Sequence, residues 1–391
     1  MHRSITGVIA FLTLSSTLLV SPAHAAPPPR PVETSTESIP MGSVVGPAVG
    51  ALVRSGTGAQ AVGIPQAPPT LSVMRTETQE FSLVGVTWAD DPAVTDTGVR
   101  VRVQSAAGAW GEWTEIESHD SGADATATGR TSIRGGTEPV WTGPSTGVEA
   151  EVVTRSGAYP LDVHLDLVAA GTSPADATLV SPAPAGARAA AAAAAPAIHT
   201  RQDWGADESL RTWKPEYAPT IKAATLHHTV SANDYTADQV PAMIRAIYRY
   251  HAVSRGWGDI GYNALVDRFG QIWEGRYGGL DSTVIGAHAR GFNVGTVGVA
   301  MLGNYETVDT PAPMIDAAEA FIAWKFALFH VDPTATTELS PGGKRKVKVP
   351  TIFGHQDVGQ TLCPGRFGYA RLPEIRSAVD QRLASPVRQA G

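Results

Sequence analysis

The chain has 391 residues, a net charge of −7, 40 glycines and 29 prolines, and 43% of its residues are hydrophobic. This length fits about two or three domains, and the apolar content is enough for folded cores, which excludes a wholly disordered chain. The negative charge excludes a general electrostatic argument for nucleic-acid binding, because proteins of that class present a basic surface.

The first residues have the pattern of a secretory signal peptide. Arg3 gives a basic start, an apolar run covers 5–20, and Ala23-His24-Ala25 has the small-residue spacing of a cleavage site. A membrane anchor is the alternative, but this run is short and is interrupted by Thr and Ser, and no other stretch approaches the ~18 apolar residues of a span. We therefore predict a signal peptide over 1–25, no transmembrane segment in the mature chain, and a secreted or cell-wall location.

The next two segments differ in their periodicity. Residues 26–69 are rich in Pro, Gly, Ser, Thr and Ala without a sustained repeat, which predicts an extended or disordered segment. Over 70–171 apolar residues alternate with polar ones, as in Val99-Arg100-Val101-Arg102-Val103. This period of two predicts an all-β, sandwich-like domain of unknown role. Its tryptophans could form a sugar-binding platform, although packing within the sheets is the favoured interpretation: Trp110, Trp113 and Trp141.

The composition changes again in the second half of the chain. Residues 172–197 contain several prolines and a run of alanines, which predicts a semi-rigid linker. Beyond it, over 198–391, strand patterns alternate with amphipathic helices. This arrangement predicts an α/β domain with a mixed central sheet flanked by helices. The predicted strands cover 223–230, 262–274 as a hairpin, 296–302 and 351–354, and the predicted helices cover 236–256, 314–329 and the segment after Pro373.

The sole cysteine lies in a segment that suits metal binding. An unpaired cysteine in an exported chain can bond another chain, remain a thiol or bind a metal. Cys363 follows His355 by eight residues in a Gly/Pro-rich loop after a predicted strand, and imidazole and thiolate both suit tetrahedral zinc. The natural source of a third ligand is the strand that ends at His227 and His228. Because neighbouring side chains on a strand point to opposite faces, we expect one of these two histidines to face the metal.

Six motifs occur in one order over about 198–383. They are Leu226-His227-His228-Thr229, Asp259-Ile260-Gly261-Tyr262-Asn263, Ile272-Trp273-Glu274-Gly275-Arg276, Gly286-Ala287-His288, Gly303-Asn304, and Gly354-His355 with Thr361-Leu362-Cys363-Pro364-Gly365. Together they strongly resemble the zinc-dependent N-acetylmuramoyl-L-alanine amidases, the family that includes the peptidoglycan recognition proteins. The preceding β-rich region is also similar to the one found before such domains in secreted actinobacterial proteins.

The resemblance implies a site and an activity. It implies zinc ligands at His227, His355 and Cys363, with water at the fourth position of an open catalytic site. It also implies catalytic roles for Tyr262 and Thr361 in hydrolysis of the amide between N-acetylmuramic acid and L-alanine. Recognition proteins that only bind peptidoglycan typically lack the cysteine ligand, which this chain keeps. A non-catalytic peptidoglycan-binding or sensing protein is the alternative.

Four further residues are expected in a substrate groove: His228, Glu274, His288 and Asn293. Each has a structural alternative, namely packing for the two histidines, an ion pair with Arg276 for Glu274, and loop scaffolding for Asn293. A serine hydrolase is disfavoured because no G-x-S-x-G motif is present, and an adhesin centred on the β-rich domain is a further alternative. We expect zinc as the cofactor and peptidoglycan as the partner, with no nucleic acid.

Overall fold

The computed structural model describes residues 30–43, 70–118, 122, 133–179, 195–340 and 346–384. The predicted signal peptide and all but the last residue of the alanine run of the predicted linker lie outside these ranges. Among the described residues, no helix has the length and apolarity that a membrane crossing requires.

The first half of the described chain is an all-β domain, as the alternating pattern predicts. Its strands are β1 (Ser35–Gly42), β2 (Thr70–Arg75), β3 (Phe81–Ala89), β4 (Asp96–Ser105), β5 (Thr114–Ile116), β6 (Arg134–Gly136), β7 (Val140–Ser156) and β8 (Val163–Ala169). They are hydrogen-bonded in the order β1-β8-β3-β7-β4-β5, and β2 pairs with β7 while β6 pairs with β3. All of these pairings are antiparallel.

The long strand β7 takes part in both halves of this sandwich-like domain: its first residues pair with β3, and its later residues pair with β4 and β2. Near its start, Trp141 pairs with Leu83 of β3. Further along, Val152 pairs with Val99 of β4 on one side and with Leu71 of β2 on the other. Apolar side chains from both halves, including those of β3, β4, β7 and β8, meet in one buried cluster. The expected sandwich-like packing is therefore produced by strands that share β7.

The β domain begins upstream of residue 70, the start that we predicted, because it includes strand β1. We expected 26–69 to be extended or disordered, but Ser35–Gly42 pairs with β8, with Ile39 opposite Leu165. Ile39 is the one buried side chain of the strand. One buried residue does not make an apolar alternation, so the sequence pattern does not indicate this strand.

The second half is an α/β domain with a mixed six-stranded sheet. Its strands are β9 (Ile198–His199), β10 (Ala223–His228), β11 (Ala264–Val266), β12 (Ile272–Glu274), β13 (Thr296–Met301) and β16 (Ile352–Gly354), and a separate hairpin contains β14 (Thr336–Leu339) and β15 (Val347–Pro350). The sheet order is β16-β10-β13-β11-β12-β9. The helices are α1 (Val240–Arg249), α2 (Ala312–Phe329), α3 (Arg366–Ala370) and α4 (Leu372–Ala384).

Helices cover both faces of this sheet. One face, which includes Val266 and Met301, packs against α2 and α4. The other, which includes Leu265 and Ala300, packs against α1. The alternation of neighbouring residues between the two faces is the normal geometry of a strand, and it confirms the prediction of a sheet flanked by helices.

Helix α1 also packs against the β domain, so an apolar core lies between the two domains. Leu83 of β3, Trp141 of β7 and Val168 of β8 belong to the same buried cluster as Met243 and Ile247 of α1. Domains move relative to each other by default unless their interface is large and hydrophobic. This interface has a buried apolar core, which favours one arrangement of the two domains.

Candidate metal centre

Three predicted ligands converge at one edge of the α/β sheet. The ligand atoms of His227, His355 and Cys363 all lie within 4.8 Å of one another, and the three side chains are buried. His227 is near the end of β10 and His355 follows β16, which is the parallel neighbour of β10. Carboxyl ends of parallel strands meet at the same edge, where sites in such sheets form. Cys363 returns to this edge because its carbonyl accepts the backbone N–H of Gln356 at 2.8 Å.

His288 holds the ring of His227 in a fixed orientation. The Nδ1 atom of His227 is 3.6 Å from the sulfur of Cys363, and its Nε2 atom is 3.0 Å from Nδ1 of His288. Ligation through Nδ1 requires the hydrogen of His227 on Nε2, which then donates to His288. Burial, followed by the charges of His355 and Arg276, lowers the pKa of His288 to about 3, so its neutral ring can accept. Such a partner on the second nitrogen is a regular feature of metal-binding histidines.

Two glycines leave the space that His288 occupies. A Cβ added to Gly298 of β13 would lie 2.9 Å from Nδ1 of His288 and closer still to Cγ and Cδ2, and one added to Gly286 would lie 2.5 Å from Cδ2. Carbon atoms normally approach to about 3.5–4.0 Å. The imidazole of His288 therefore fits because both positions lack a side chain.

His228 lies on the opposite face of β10 from His227, as the strand geometry predicts. Its Nδ1 atom accepts the backbone N–H of Tyr305 at 3.2 Å, and burial lowers its pKa to about 3. Its own backbone N–H donates to the sulfur of Cys363 at 3.3 Å. The main chain of His228 thus supports the cysteine, while its side chain packs on the other side of the strand.

The surroundings of Cys363 favour the protonated thiol over the thiolate. Burial raises its pKa well above the ordinary value, and the carboxylates of Glu117 and Glu138 raise it further, while the N–H of His228 lowers it. A divalent cation reverses this balance because a coordinating thiol loses its proton. The site therefore offers two imidazoles and a thiol, a donor set that fits zinc, and binding of a metal there would release the thiol proton.

The hydroxyl groups of Tyr262 and Thr361 adjoin the three ligands. The ring of Tyr262 lies 5.5 Å from that of His227, measured between centroids. The Thr361 hydroxyl oxygen accepts the backbone N–H of Cys363 at 2.9 Å. Both residues predicted to act in catalysis are thus placed beside the ligand cluster.

Two carboxylates of the β domain, which sequence reasoning did not identify, bond these hydroxyl groups. Tyr262 donates to Glu138 at 2.7 Å, and Thr361 donates to Glu117 at 3.1 Å. The partners are 124 and 244 residues apart in sequence, so no local spacing could have indicated either pair. Burial raises the pKa of Glu117 to about 7, and burial followed by the charge of Glu138 raises the pKa of Tyr262 well above its usual value.

The remaining residues predicted for a substrate groove have structural contacts. Glu274 accepts the backbone N–H of Arg201 at 3.1 Å, whereas the guanidinium of Arg276 donates to the carbonyl of Ile260 at 2.9 Å. Buried Asn293 accepts the backbone N–H groups of His288 and the next residue at 2.8 and 2.9 Å. Asn293 therefore shapes the loop that carries His288.

A cleft of about 800 Å³ lies between the two domains beside the ligand cluster. Thr361 and Leu362, which precede Cys363, line one side of it with Asn304. Arg100 and Glu117 of the β domain line the other side. The cleft thus reaches one of the two hydroxyl groups beside the ligands.

The tryptophans of the β domain are engaged in packing. The guanidinium of Arg100 lies 4.6 Å from the ring centre of Trp113, and that of Arg102 lies 5.2 Å from that of Trp110. Trp141 is buried between the domains. These contacts agree with packing within the sheets rather than with an open sugar platform.

Comparison with family models gives a match for each half of the chain. Residues 217–366 match the model described as N-acetylmuramoyl-L-alanine amidase. Residues 29–196 match the model described as Rv3811 N-terminal galactose-binding domain-like. The second match begins upstream of β1, in agreement with the placement of that strand in the β domain.

Similar proteins are found among peptidoglycan-recognition proteins. Protein SC2 of Drosophila simulans is 31% identical over 168 residues, which cover 43% of this chain and 80% of that protein, and protein SC1a of Drosophila melanogaster has the same identity and coverage. Among solved structures, wild-type Drosophila PGRP-LB is 29% identical with a TM-score of 0.37, covering 45% of this chain and 92% of that one. Human PGRP-IBETAC in complex with glycosamyl muramyl pentapeptide is 26% identical with a TM-score of 0.37, covering 45% and 93%.

Proposed function

The chain belongs to the family of N-acetylmuramoyl-L-alanine amidases and peptidoglycan-recognition proteins, and from that premise we propose that it is a secreted zinc amidase. Its substrate would be peptidoglycan, and the bond cleaved would be the amide between the lactyl group of N-acetylmuramic acid and L-alanine. Export would follow cleavage after Ala25, and the enzyme would act on the cell wall.

One observation carries this proposal: two imidazoles and a thiol, with ligand atoms within 4.8 Å, lie beside two hydroxyl side chains. This donor set fits zinc, which accepts nitrogen and sulfur ligands in a tetrahedral arrangement. Three protein ligands leave a fourth position for substrate or water, as in catalytic rather than structural sites. A protein that only bound peptidoglycan would have no need of the thiol.

The residues of this chain would have separate tasks. Zinc, when bound, supplies Lewis-acid polarisation of the amide carbonyl and lowers the pKa of water. His227, His355 and Cys363 would hold it, and His288 would keep His227 in the ligating orientation. Thr361 holds the backbone of Cys363 through its hydroxyl oxygen. Tyr262, whose hydrogen is donated to a carboxylate, presents its phenolic oxygen as an acceptor that suits it to orient water.

The test compares the wild-type protein with Cys363→Ala and with Cys363→Ser. Each is incubated with purified muropeptides, free stem peptide is quantified by mass spectrometry, and zinc is measured per chain. We expect the wild type to release stem peptide and both variants to lose turnover and zinc affinity, because a thiolate ligand is removed. A zinc-loaded wild type that releases no stem peptide would refute the amidase proposal.

A non-catalytic peptidoglycan-binding or sensing role is the second candidate. The observation that favours it is burial, since His227, His355 and Cys363 are each about 1% exposed while the adjoining cleft is wide. Such a protein would bind muropeptide through the cleft with or without zinc. Muropeptides are titrated against the zinc-loaded and the zinc-free protein, and released stem peptide is measured in both. A protein that only binds would keep its affinity after zinc removal and would release no stem peptide even with zinc.

A further inference from the structure

We propose that the β domain completes the catalytic site of the α/β domain by supplying two positioning carboxylates, Glu138 and Glu117. Glu138 fixes the phenol of Tyr262, and Glu117 fixes the hydroxyl of Thr361. This inference rests on the amidase activity proposed above, and it assigns the β domain a task in that reaction.

The two carboxylates are set side by side at one edge of the β domain. Glu117 follows β5 and Glu138 precedes β7, and the backbone N–H of Glu138 donates to the carbonyl of Glu117 at 3.0 Å. A bridge between Ser118 and Thr137 continues this pairing. The positions of both side chains are thus determined by strand pairing, which is the rigid support that a positioning group requires.

The contact between the domains is fixed at several points around these carboxylates. Besides the apolar cluster around α1, the hydroxyl oxygen of Tyr250 lies 3.2 and 3.0 Å from the carbonyl oxygens of Val86 and Thr137, which share its one hydrogen. The guanidinium of Arg290 forms two hydrogen bonds of 2.8 Å with Asp90. Thr137 immediately precedes Glu138, so the interface holds the chain next to the carboxylate. These contacts support the position of Glu138 beside Tyr262.

The hydrogen bond with Glu138 decides what Tyr262 can do. A phenol has one hydrogen and can otherwise only accept. Because a bond to a carboxylate is roughly twice as strong as one between neutral groups, that hydrogen stays with Glu138, which is 1% exposed. The phenolic oxygen then accepts a hydrogen bond from water in one defined direction. Removing the charge of Glu138 lets the phenol rotate and loses that direction.

The experiment uses the full-length zinc-loaded protein and separates charge from volume at position 138. Glu138→Gln keeps the side-chain volume and removes the charge, whereas Glu138→Asp keeps the charge and shortens the side chain. We expect kcat for muropeptide to fall by about 10- to 100-fold in Glu138→Gln, as for other losses of orientation, with KM and zinc content unchanged. Glu138→Asp should retain more turnover, whereas a purely structural role would favour the Gln variant.

Control variants test whether the effect passes through the hydroxyl groups. If Glu138 acts through Tyr262, the single variant Tyr262→Phe and the double variant Tyr262→Phe/Glu138→Gln should have equal kcat. Glu117→Gln should also lower kcat. Glu112→Gln should match the wild type, because Glu112 is exposed and is not among the residues that line the cleft. Melting temperatures measured for every variant would identify any loss of activity that is due to unfolding.

Several outcomes would overturn the inference. Wild-type kcat in Glu138→Gln would show that the carboxylate has no role, and a raised kcat would show that the β domain obstructs the site instead. A fall in kcat that tracks a fall in zinc content or melting temperature would assign Glu138 a structural role. If the wild type itself releases no stem peptide, the amidase proposal fails, and the role of Glu138 in turnover fails with it.

Discussion

Gly298→Ala is expected to weaken zinc binding without altering any ligand. The added Cβ would lie 2.9 Å from Nδ1 of His288 and closer to two of its carbon atoms, whereas carbon contacts of about 3.5–4.0 Å are normal. His288 is fully buried and also faces Gly286, so its ring must shift from its present position beside His227. The hydrogen bond of 3.0 Å between the two rings would then be lost.

The magnitude follows from the role of that bond. Loss of a partner that orients a metal-binding histidine typically costs 10- to 100-fold in affinity, which is about 1.4–2.8 kcal/mol. Overpacking adds a loss of about 1–3 kcal/mol in folding free energy. The zinc dissociation constant of Gly298→Ala should thus rise by about 10- to 100-fold when it is measured by competition with a chromophoric chelator.

A double-mutant cycle shows whether the effect passes through His288. His288→Ala alone should weaken zinc binding by a similar factor, and the Gly298→Ala/His288→Ala double variant should bind zinc as His288→Ala does, because the ring that clashes is gone. Gly111→Ala is the matched control, since its nearest atom beyond its chain neighbours is 3.6 Å away. An affinity of Gly298→Ala within threefold of the wild type, or additive effects in the double variant, would refute this reasoning.

Two further predictions concern protons and stability. Because burial raises the pKa of the Cys363 thiol, zinc binding at pH 7 should release about one proton, and zinc affinity should fall about tenfold per pH unit as the pH is lowered. Calorimetry in buffers of different ionisation enthalpy measures this release. A binding enthalpy that is the same in all buffers would contradict the prediction. Asp176→Ala should lower the free energy of unfolding by about 3 kcal/mol, because Asp176 forms two hydrogen bonds of 2.9 and 2.7 Å with buried Arg245. Urea titration measures this loss, with Asp234→Ala at an exposed position as the control. Equal stability of the two variants would contradict the prediction.

The sequence could predict features that depend on local patterns. Period-two alternation over 99–103 predicted β4, and the helix predicted over 236–256 contains α1. The candidate ligands were found because they lie in short motifs at the ends of strands. Each of these signals is contained within a few residues, so no knowledge of the tertiary arrangement was needed.

Features that depend on distant contacts could not be predicted. Strand β1 has a single buried residue, Ile39, so its place in the sheet depends on an edge that another strand supplies. Glu117 and Glu138 lie among other acidic residues of the β domain, and nothing near them distinguishes them. Their partners are brought to them by the packing of two domains, which a linear pattern does not encode.

Strand β3 is covered on both of its faces, because it lies between the core of the β domain and the α/β domain. Eight of its nine residues are buried, and such continuous burial means that both faces of the strand are covered. One face lies in the core of the β domain, and Leu83 on the other packs with α1. Gly85 extends this fit, because a Cβ there would lie 2.7 Å from the Tyr250 hydroxyl oxygen. Separating the domains would expose apolar surface on both, so the part played by the β domain in the site is better tested by single substitutions than by truncation.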